Sequence, residues 1–318
     1  MPLSTIWLIR ELMKIAVIGA GAIGGWVAAK LALAHEQVMA LTSRGYLEQI
    51  DIIENASRQT ARLSRFSGAA DVLVIAVKAT SLRNIVTGAK PLISPATTIV
   101  PMMNGVPWWF IEGVRLKSVD PSGEIASTFP SSQVTGCVVH ASCSRSGGAV
   151  LVKHADKLII GKPNGELGED LAHLHALFDR AGLRAETSDN IRSAIWYKLW
   201  GNATINPMSA LTRATCDRIL SDPECRSWML EGMSELASAG AAIGCPISES
   251  GADRMAVTER LGAFKTSMLQ DVEAGRPLEL EALLGAPREI ARAHQLETPA
   301  LDRLYALTKL LADGLGLH

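Results

Sequence analysis

Residues 14–24 constrain this chain more than any other stretch. Lys14–Ile18 is a short run rich in β-branched residues, and it passes without a spacer into Gly19-Ala20-Gly21-Ala22-Ile23-Gly24. A G-x-G-x-x-G pattern says little alone, but placed between a strand and a helix it has a mechanical meaning. From Gly25 to Ala34 the apolar residues recur at helical spacing, and Gln37–Leu41 reads as a second strand. The segment is therefore a β-α-β unit. In such a unit Gly19 permits the tight turn, Gly21 lets a pyrophosphate approach the backbone, and Gly24 lets the helix pack closely on the strand. Ala20, Ala22 and Ile23 supply the backbone between them. The free N–H groups and the dipole at the start of the helix favour an anion.

The end of the second strand indicates which dinucleotide would bind. An Asp or Glu there would hold the 2′-hydroxyl of NAD. This chain has Leu41-Thr42-Ser43-Arg44, with no carboxylate and with a guanidinium suited to a 2′-phosphate. NADP is expected, with Arg44 as a contact.

The remaining strands and helices follow from periodicity. Asp71–Val77 and Thr97–Met102 are continuous apolar runs, as parallel strands buried on both faces should be. Thr135–His140 and Val150–Lys153 flank Arg145-Ser146-Gly147-Gly148, a hairpin signature, and Lys157–Ile160 makes one more strand. Arg58, Arg62 and Arg65 read as a solvated helix face in a short, arginine-rich connection, Gly45–Ala70. Beyond Ser188 helical periodicity takes over from Asn190 to Leu311, interrupted at Pro223, Pro246, Pro277 and Pro299. The fold class expected is α/β, a Rossmann-type N-terminal domain (residues 13–188) followed by an all-helical C-terminal domain (residues 189–318) for substrate and dimerisation. Residues 1–12 precede the first strand and are set aside as an extension.

Composition closes several alternatives. The 31 basic and 32 acidic side chains leave a formal net charge of -1, which argues against nucleic acid or an anionic membrane as partner. The longest apolar stretch, Ile15–Ala34, is broken by glycines and Lys30 and is not a membrane span. Five cysteines without a C-x-x-C pair fit a reducing, cytoplasmic setting better than disulfides or zinc. His173 and His175, two apart on a helix, cannot chelate together, so no metal is expected. Seven tryptophans among few aromatics are unusual. Trp26, Trp108, Trp109, Trp196 and Trp200 lie beside the motifs named here, so they are expected either to wall the ligand cleft or to pack the core.

The stretch Ile195–Pro207 carries the chemistry. Lys198, Asn202 and Asn206 recur four residues apart and form one polar stripe on an otherwise apolar helix. Buried amides and an ammonium require hydrogen-bonding partners, and a polar substrate is one such partner. Gly201 permits close approach, and Pro207 should kink the helix after Asn206.

With these residues in view the chain resembles the ketopantoate reductase family. The motifs that carry the resemblance are Gly19–Gly24, Lys78 at a strand end, Asn104 in Met103-Asn104-Gly105-Val106-Pro107, Lys198…Asn202…Asn206-Pro207, and Thr266-Ser267-Met268-Leu269-Gln270-Asp271 followed by Glu279. They occur in order over nearly the whole chain. The resemblance implies NADPH-dependent reduction of a 2-keto acid to a 2-hydroxy acid. It places Lys198 as proton donor, with Asn202, Asn206 and Ser267 at substrate positions. Arg44, Lys78, Asn104 and Ser142 fall on cofactor contacts, and Glu279 on an acidic residue touching cofactor and substrate hydroxyl. Glu281 is its rival by register, and Pro277 would put Glu279 in the first turn of a restarted helix.

The chain also departs from the family. Cys216 stands where the family carries a further substrate-binding Asn, and a thiol cannot replace an amide at a hydroxyl or carboxylate. Pro107-Trp108-Trp109 is not required by the chemistry either. Ketopantoate or a close analogue is the expected substrate. The alternatives are a related reductase of an imine, an opine or another 2-oxo compound, and a catalytically silent NADP-binding sensor. The apolar helices after Leu220 and Leu278 could bury a homodimer interface.

Overall fold

The computed structural model describes residues 12–260 and 262–318, so Trp7 and the set-aside residues 1–11 lie outside the described part. Two sheets enclose the helix that follows the glycine loop. β1 (Lys14–Ile18) runs parallel to β2 (Gln37–Thr42), with α1 (Ala22–Leu33) crossing between them. β2 turns at Ser43 and Arg44 into the antiparallel β3 (Gly45–Tyr46). The next hairpin, β4 (Gln49–Glu54) and β5 (Ser57–Arg62), belongs to the second sheet. β6 (Val72–Ile75), α2 (Leu82–Ala89) and β7 (Thr98–Pro101) complete the first, in the order β3-β2-β1-β6-β7. Ile15–Ile18 and all of β6 are buried, which is why these strands are unbroken apolar runs.

After α3 (Glu124–Thr128), β8 (Gly136–Ser146) and β9 (Ala149–Gly161) form one long hairpin where three short strands were expected. Gly147 and Gly148, with φ of +56° and +81°, make the turn that the sequence announced. α4 (Glu169–Arg180) and β10 (Ala185–Thr187) follow, and the second sheet is ordered β10-β9-β4-β5 with β8 also on β9.

The arginine-rich connection is corrected by this sheet. Residues 45–62 hold three strands, and Arg58 and Arg62 stand on β5, not on a helix. Asn55 and Ala56, at φ +50° and +60°, form the hairpin turn. Only Ala61 of β5 is buried, so the strand lacks the apolar alternation by which strands are recognised. Arg58 and Thr60 instead bind Asp51 of β4 at 2.5 and 2.7 Å, and the charged edge discourages further pairing.

Among the described residues nothing after Thr187 is a strand. α5 (Ile191–Thr212), α6 (Cys216–Ser221), α7 (Pro223–Ala242), α8 (Gly251–Glu259) and α9 (Ser267–Glu273) come first. A π-helical turn, Glu281–Gly285, then runs into α10 (Ala286–Ala293), and α11 (Pro299–Leu315) ends the chain. Asn190, Asp222, Ser250 and Thr266 each cap a helix by accepting a backbone N–H. α5 continues through Pro207 to Thr212. No described helix is long and apolar enough to cross a membrane.

Two apolar cores result. One, with Ile15, Trp26, Leu31, Val150 and Phe178, fills the space between the sheets around α1 and α4. The other runs from Leu73, Ile75 and Ile99 on the first sheet through Trp108 and Phe110 to Trp196, Trp200 and Leu301. The helical part therefore shares a core with the sheet, and the seam between them is where the site forms.

Candidate active site

The glycine loop is fixed from below. The N–H groups of Gly19 and Ala20 both donate to the Leu41 carbonyl at 2.9 Å. Gly19 has φ +92°, and a Cβ there would lie 2.7 Å from the carbonyl carbon of Ala76. A Cβ on Gly24 would lie 2.3 Å from the Gly19 oxygen, so the helix can sit on the loop only with glycine. Gly21 differs. Its nearest neighbour would be 3.9 Å away, so the protein's own packing does not demand glycine there and the space above remains open. α1 starts with no side-chain cap and no acidic residue in its first turn, which leaves its N–H groups available to phosphate.

Arg145 is a contact the sequence did not reveal. From the β8–β9 turn its Nη1 donates to the Ala20 carbonyl at 3.1 Å and its Nη2 to Gly148 at 2.9 Å. Its place in the hairpin signature was visible, but nothing in the spacing joins it to a loop 125 residues earlier. Arg44 is exposed at the β2–β3 turn, where its N–H donates to Thr42 Oγ1 at 3.1 Å. Ser142 is half-buried on β8, beside the register shifts that interrupt its pairing with β9.

Three contacts stitch the sheet to the helical part. Lys78, just beyond β6, places Nζ 2.5 Å from Asp271 Oδ2 and donates to the Pro277 carbonyl at 3.2 Å. Asp271 is 5% exposed and also accepts from Arg276 Nε at 2.9 Å. Ala79 N–H donates to Glu279 Oε1 at 3.1 Å. After β7, Asn104 precedes Gly105 at φ +82°, where a Cβ would meet the Ala282 oxygen at 2.5 Å, and Val106 N–H donates to that oxygen at 2.8 Å. Asp271 lay inside a quoted motif, but its role as a buried anion shared by two cations is visible only in three dimensions.

The polar stripe meets these elements at the seam. Lys198 and Asn202 line a narrow cleft together with Asn104, Met103, Cys137 and Val138. Lys198 Nζ donates to the Val139 carbonyl at 2.7 Å. Met103 also lines the adjoining pocket of about 120 Å³, which holds Glu279, Ala79 and Trp108. Asn206 is 5% exposed, one turn deeper, and Ser267 is exposed at the start of α9. Neither lines the cleft itself.

Burial sets the electrostatics. It pulls the Lys198 ammonium down to about 8, against the opposing influence of Cys137 and Glu279. Burial likewise raises Glu279, opposed by the Ala79 N–H and by Lys78 and Lys198. The Cys137 thiol is pushed up to about 12 and stays neutral. An ammonium poised near neutrality, flanked by two amides, is equipped to hydrogen-bond a polar ligand and pass it a proton.

Other expectations are sharpened or corrected. Glu279 stands at the start of the restarted helix, directly before Leu280, where its carbonyl accepts the Leu283 N–H at 3.1 Å while its carboxylate accepts the Ala79 N–H. Glu281 accepts from the Tyr305 hydroxyl at 2.6 Å. Of the five tryptophans only Trp108 borders the pocket beside Glu279. Trp26, Trp109, Trp196 and Trp200 are at most 4% exposed and belong to the cores. Cys216, 1% exposed at the start of α6, has its thiol raised to about 11 by burial. No described group of three or more His, Cys, Asp and Glu could hold a metal ion.

Comparison with known proteins covers the same span. The family model described as ketopantoate reductase PanE/ApbA matches residues 15–165, and its C-terminal counterpart matches residues 190–312. The 2-dehydropantoate 2-reductase of Mesorhizobium japonicum is 38% identical over 96% of this chain and all of its own. A solved structure from Ralstonia solanacearum, provisionally described as a ketopantoate reductase, superposes with a TM-score of 0.90 at 43% identity, covering 97% of this chain and 100% of that one. The 2-dehydropantoate 2-reductase of Methylococcus capsulatus gives a TM-score of 0.81 at 28% identity, over 95% of this chain and 97% of its own.

Proposed function

This chain belongs to the ketopantoate reductase family and is an oxidoreductase that reduces a 2-keto acid to the 2-hydroxy acid; we propose that NADPH supplies the hydride and Lys198 the proton. The observation that carries the assignment is the convergence of Asn104, Lys198 and Asn202 on one cleft, with Glu279 in the pocket beside it.

The chain fits a dinucleotide. A Cβ on Gly19 would collide with Ala76 and one on Gly24 with the loop, the start of α1 is uncapped, and Arg44 is exposed where an NAD-selective carboxylate would otherwise stand. Gly19–Gly24, Arg44, Lys78, Asn104, Ser142 and Glu279 would hold it, and when bound NADPH supplies a hydride to the carbonyl carbon. The protein's own residues do the rest. Lys198 hydrogen-bonds the carbonyl oxygen, stabilises the alkoxide that develops, and gives up its proton. Asn202, Asn206 and Ser267 orient the acid, and Glu279 orients Lys198 and the nascent hydroxyl. Residues 13–188 serve the cofactor and 189–318 the substrate. The setting is cytoplasmic, in keeping with five free cysteines among the described residues. Assembly is a homodimer, in keeping with exposed Leu307, Leu310 and Leu315 on α11.

The test is oxidation of NADPH and of NADH with ketopantoate and a panel of 2-keto acids. Turnover with a strong NADPH preference supports the proposal. Equal affinity for the two cofactors removes the role of Arg44, and binding without turnover of any keto acid removes the reductase activity.

A further inference from the structure

α5 is packed on most sides, with Trp196, Leu199, Trp200 and Ala203 fully buried. The sector left open carries Tyr197, Lys198, Gly201 and Asn202, each half-buried or exposed. Arg254 of α8 lies over the Tyr197 and Gly201 side of this sector, beside the cleft of Lys198 and Asn202 and not within it. Its guanidinium is 5.5 Å from the centroid of the Tyr197 ring. A Cβ on Gly201 would stand 3.1 Å from its Nη2, so the glycine is what gives the guanidinium its room. Helix residues three apart have Cβ positions about 5–6 Å from one another, which puts Arg254 one step around α5 from Lys198. Its charge also reaches His140 on the facing strand, where it and Lys198 both oppose protonation, after burial.

This arginine is poorly satisfied. Among the described residues Nη1 has only the Thr258 hydroxyl, at a long 3.4 Å, and the buried Nε has no acceptor. Two acids near it face other partners, since Glu249 accepts from the Tyr197 hydroxyl and Glu259 pairs with Arg226, and no described carboxylate forms an ion pair with Arg254. A guanidinium drawn part-way out of water without a counter-ion is unfavourable until an anion completes it. Arginine is also the side chain whose forked donors match a carboxylate.

We propose that Arg254 binds the distal carboxylate of a 2-keto dicarboxylic acid whose carbonyl sits at Lys198, in the cleft formed with Asn104 and Asn202. The proposal rests on the 2-keto acid reduction argued above and specifies its substrate. The carboxylate next to the carbonyl is one bond away and stays within that cleft. A second carboxylate, two or three carbon–carbon bonds of roughly 1.5 Å further on, extends toward the neighbouring step of the helix where Arg254 waits.

The experiment compares steady-state kinetics of the full chain on oxaloacetate and 2-oxoglutarate with those on 2-oxobutyrate, 2-oxoisovalerate and ketopantoate, for wild type, Arg254→Gln and Arg254→Lys. The expected result is a wild-type kcat/KM at least about 10-fold higher for the dicarboxylates. Arg254→Gln should raise their KM about 10–100-fold with little change in kcat, leave the monocarboxylates unaltered, and be partly rescued by Arg254→Lys. The proposal is overturned if wild type prefers the monocarboxylates. It is overturned equally if Arg254→Gln raises KM for both classes alike, since the arginine would then hold the carboxylate beside the carbonyl. Both of these leave the reductase assignment standing. Failure to turn over any 2-keto acid overturns that assignment and this proposal together. Should Arg254→Gln not fold, the wild-type panel alone decides.

Discussion

Raising the pH should switch the enzyme off well before an ordinary lysine would lose its proton. Burial brings Lys198 from its usual 10.5 to about 8, and the nearby Glu279 only partly offsets that withdrawal from water. A group titrating near 8 is about nine-tenths protonated at pH 7 and about one-tenth at pH 9. If its ammonium is the acid in the chemical step, the rate falls about tenfold over that interval. A lysine left at 10.5 would lose only a few per cent. The assay is nicotinamide oxidation at saturating cofactor from about pH 6 to about pH 10, with wild type and Lys198→Ala. The variant should lose about 10²–10⁴-fold at neutral pH and lose the alkaline limb as well. A wild-type rate that holds steady to about pH 10, or a variant within a few-fold of wild type, refutes the role. Stability should move the opposite way. A cation with a depressed folded pKa leaves the folded chain with fewer protons than the unfolded one between about 8 and 10.5, so this group makes the fold more stable as pH rises through that window.

The glycine loop gives a paired test: Gly24→Ala should prevent folding or lower the melting temperature sharply, because its Cβ has only 2.3 Å to the Gly19 oxygen, whereas Gly21→Ala should fold normally and lose NADPH affinity by about 10-fold or more, both read by thermal melts and cofactor titration. Asp271→Asn leaves Lys78 and Arg276 without their buried anion, and with both cations partly solvated the loss should be about 1–3 kcal/mol in a denaturant titration. Arg44→Ala should weaken NADPH about 10-fold and leave NADH unaffected, and a parallel loss for both would show that Arg44 does not read the 2′-phosphate.

The parts of the fold legible in the sequence were those whose chemistry is local. The glycine loop, the buried strands and the helix breaks at Pro223, Pro246, Pro277 and Pro299 each depend on a residue's own backbone preference or on a short apolar run. β5 was illegible because five of its six residues are exposed and only Ala61 is buried, and the period-2 signal needs one apolar face. The stripe of Lys198, Asn202 and Asn206 was visible as a stripe, yet the structure separates it by depth, bringing the first two into the cleft and burying the third. Arg145 and Asp271 could not be foreseen, because each acts on groups brought near only by the complete fold. The tryptophans show the reverse error: nearness in sequence to a motif suggested cleft walls, while a helix beside the cleft also turns its largest side chains inward.

β4 must wait for its neighbour. It is complete at Glu54 and pairs at once with β5, but its other neighbour in the second sheet is β9, where Ile52 pairs with Val150, about 100 residues further along. Until that hairpin has formed, α1 has only β4 and β5 of the second sheet against it, and β8 and β9 are missing. At about 5–20 residues per second, a ribosome takes roughly 5–20 s to supply the missing strands. A fragment ending after the first three parallel strands would keep the glycine pattern and lose the wall behind it, with an apolar helix face left to aggregate. Trimming the nucleotide-binding half of this chain to its β-α-β units would therefore cost more than a sheet edge: the loop that opens it, held from below by β2, also takes a contact from Arg145 of β8, made 125 residues later.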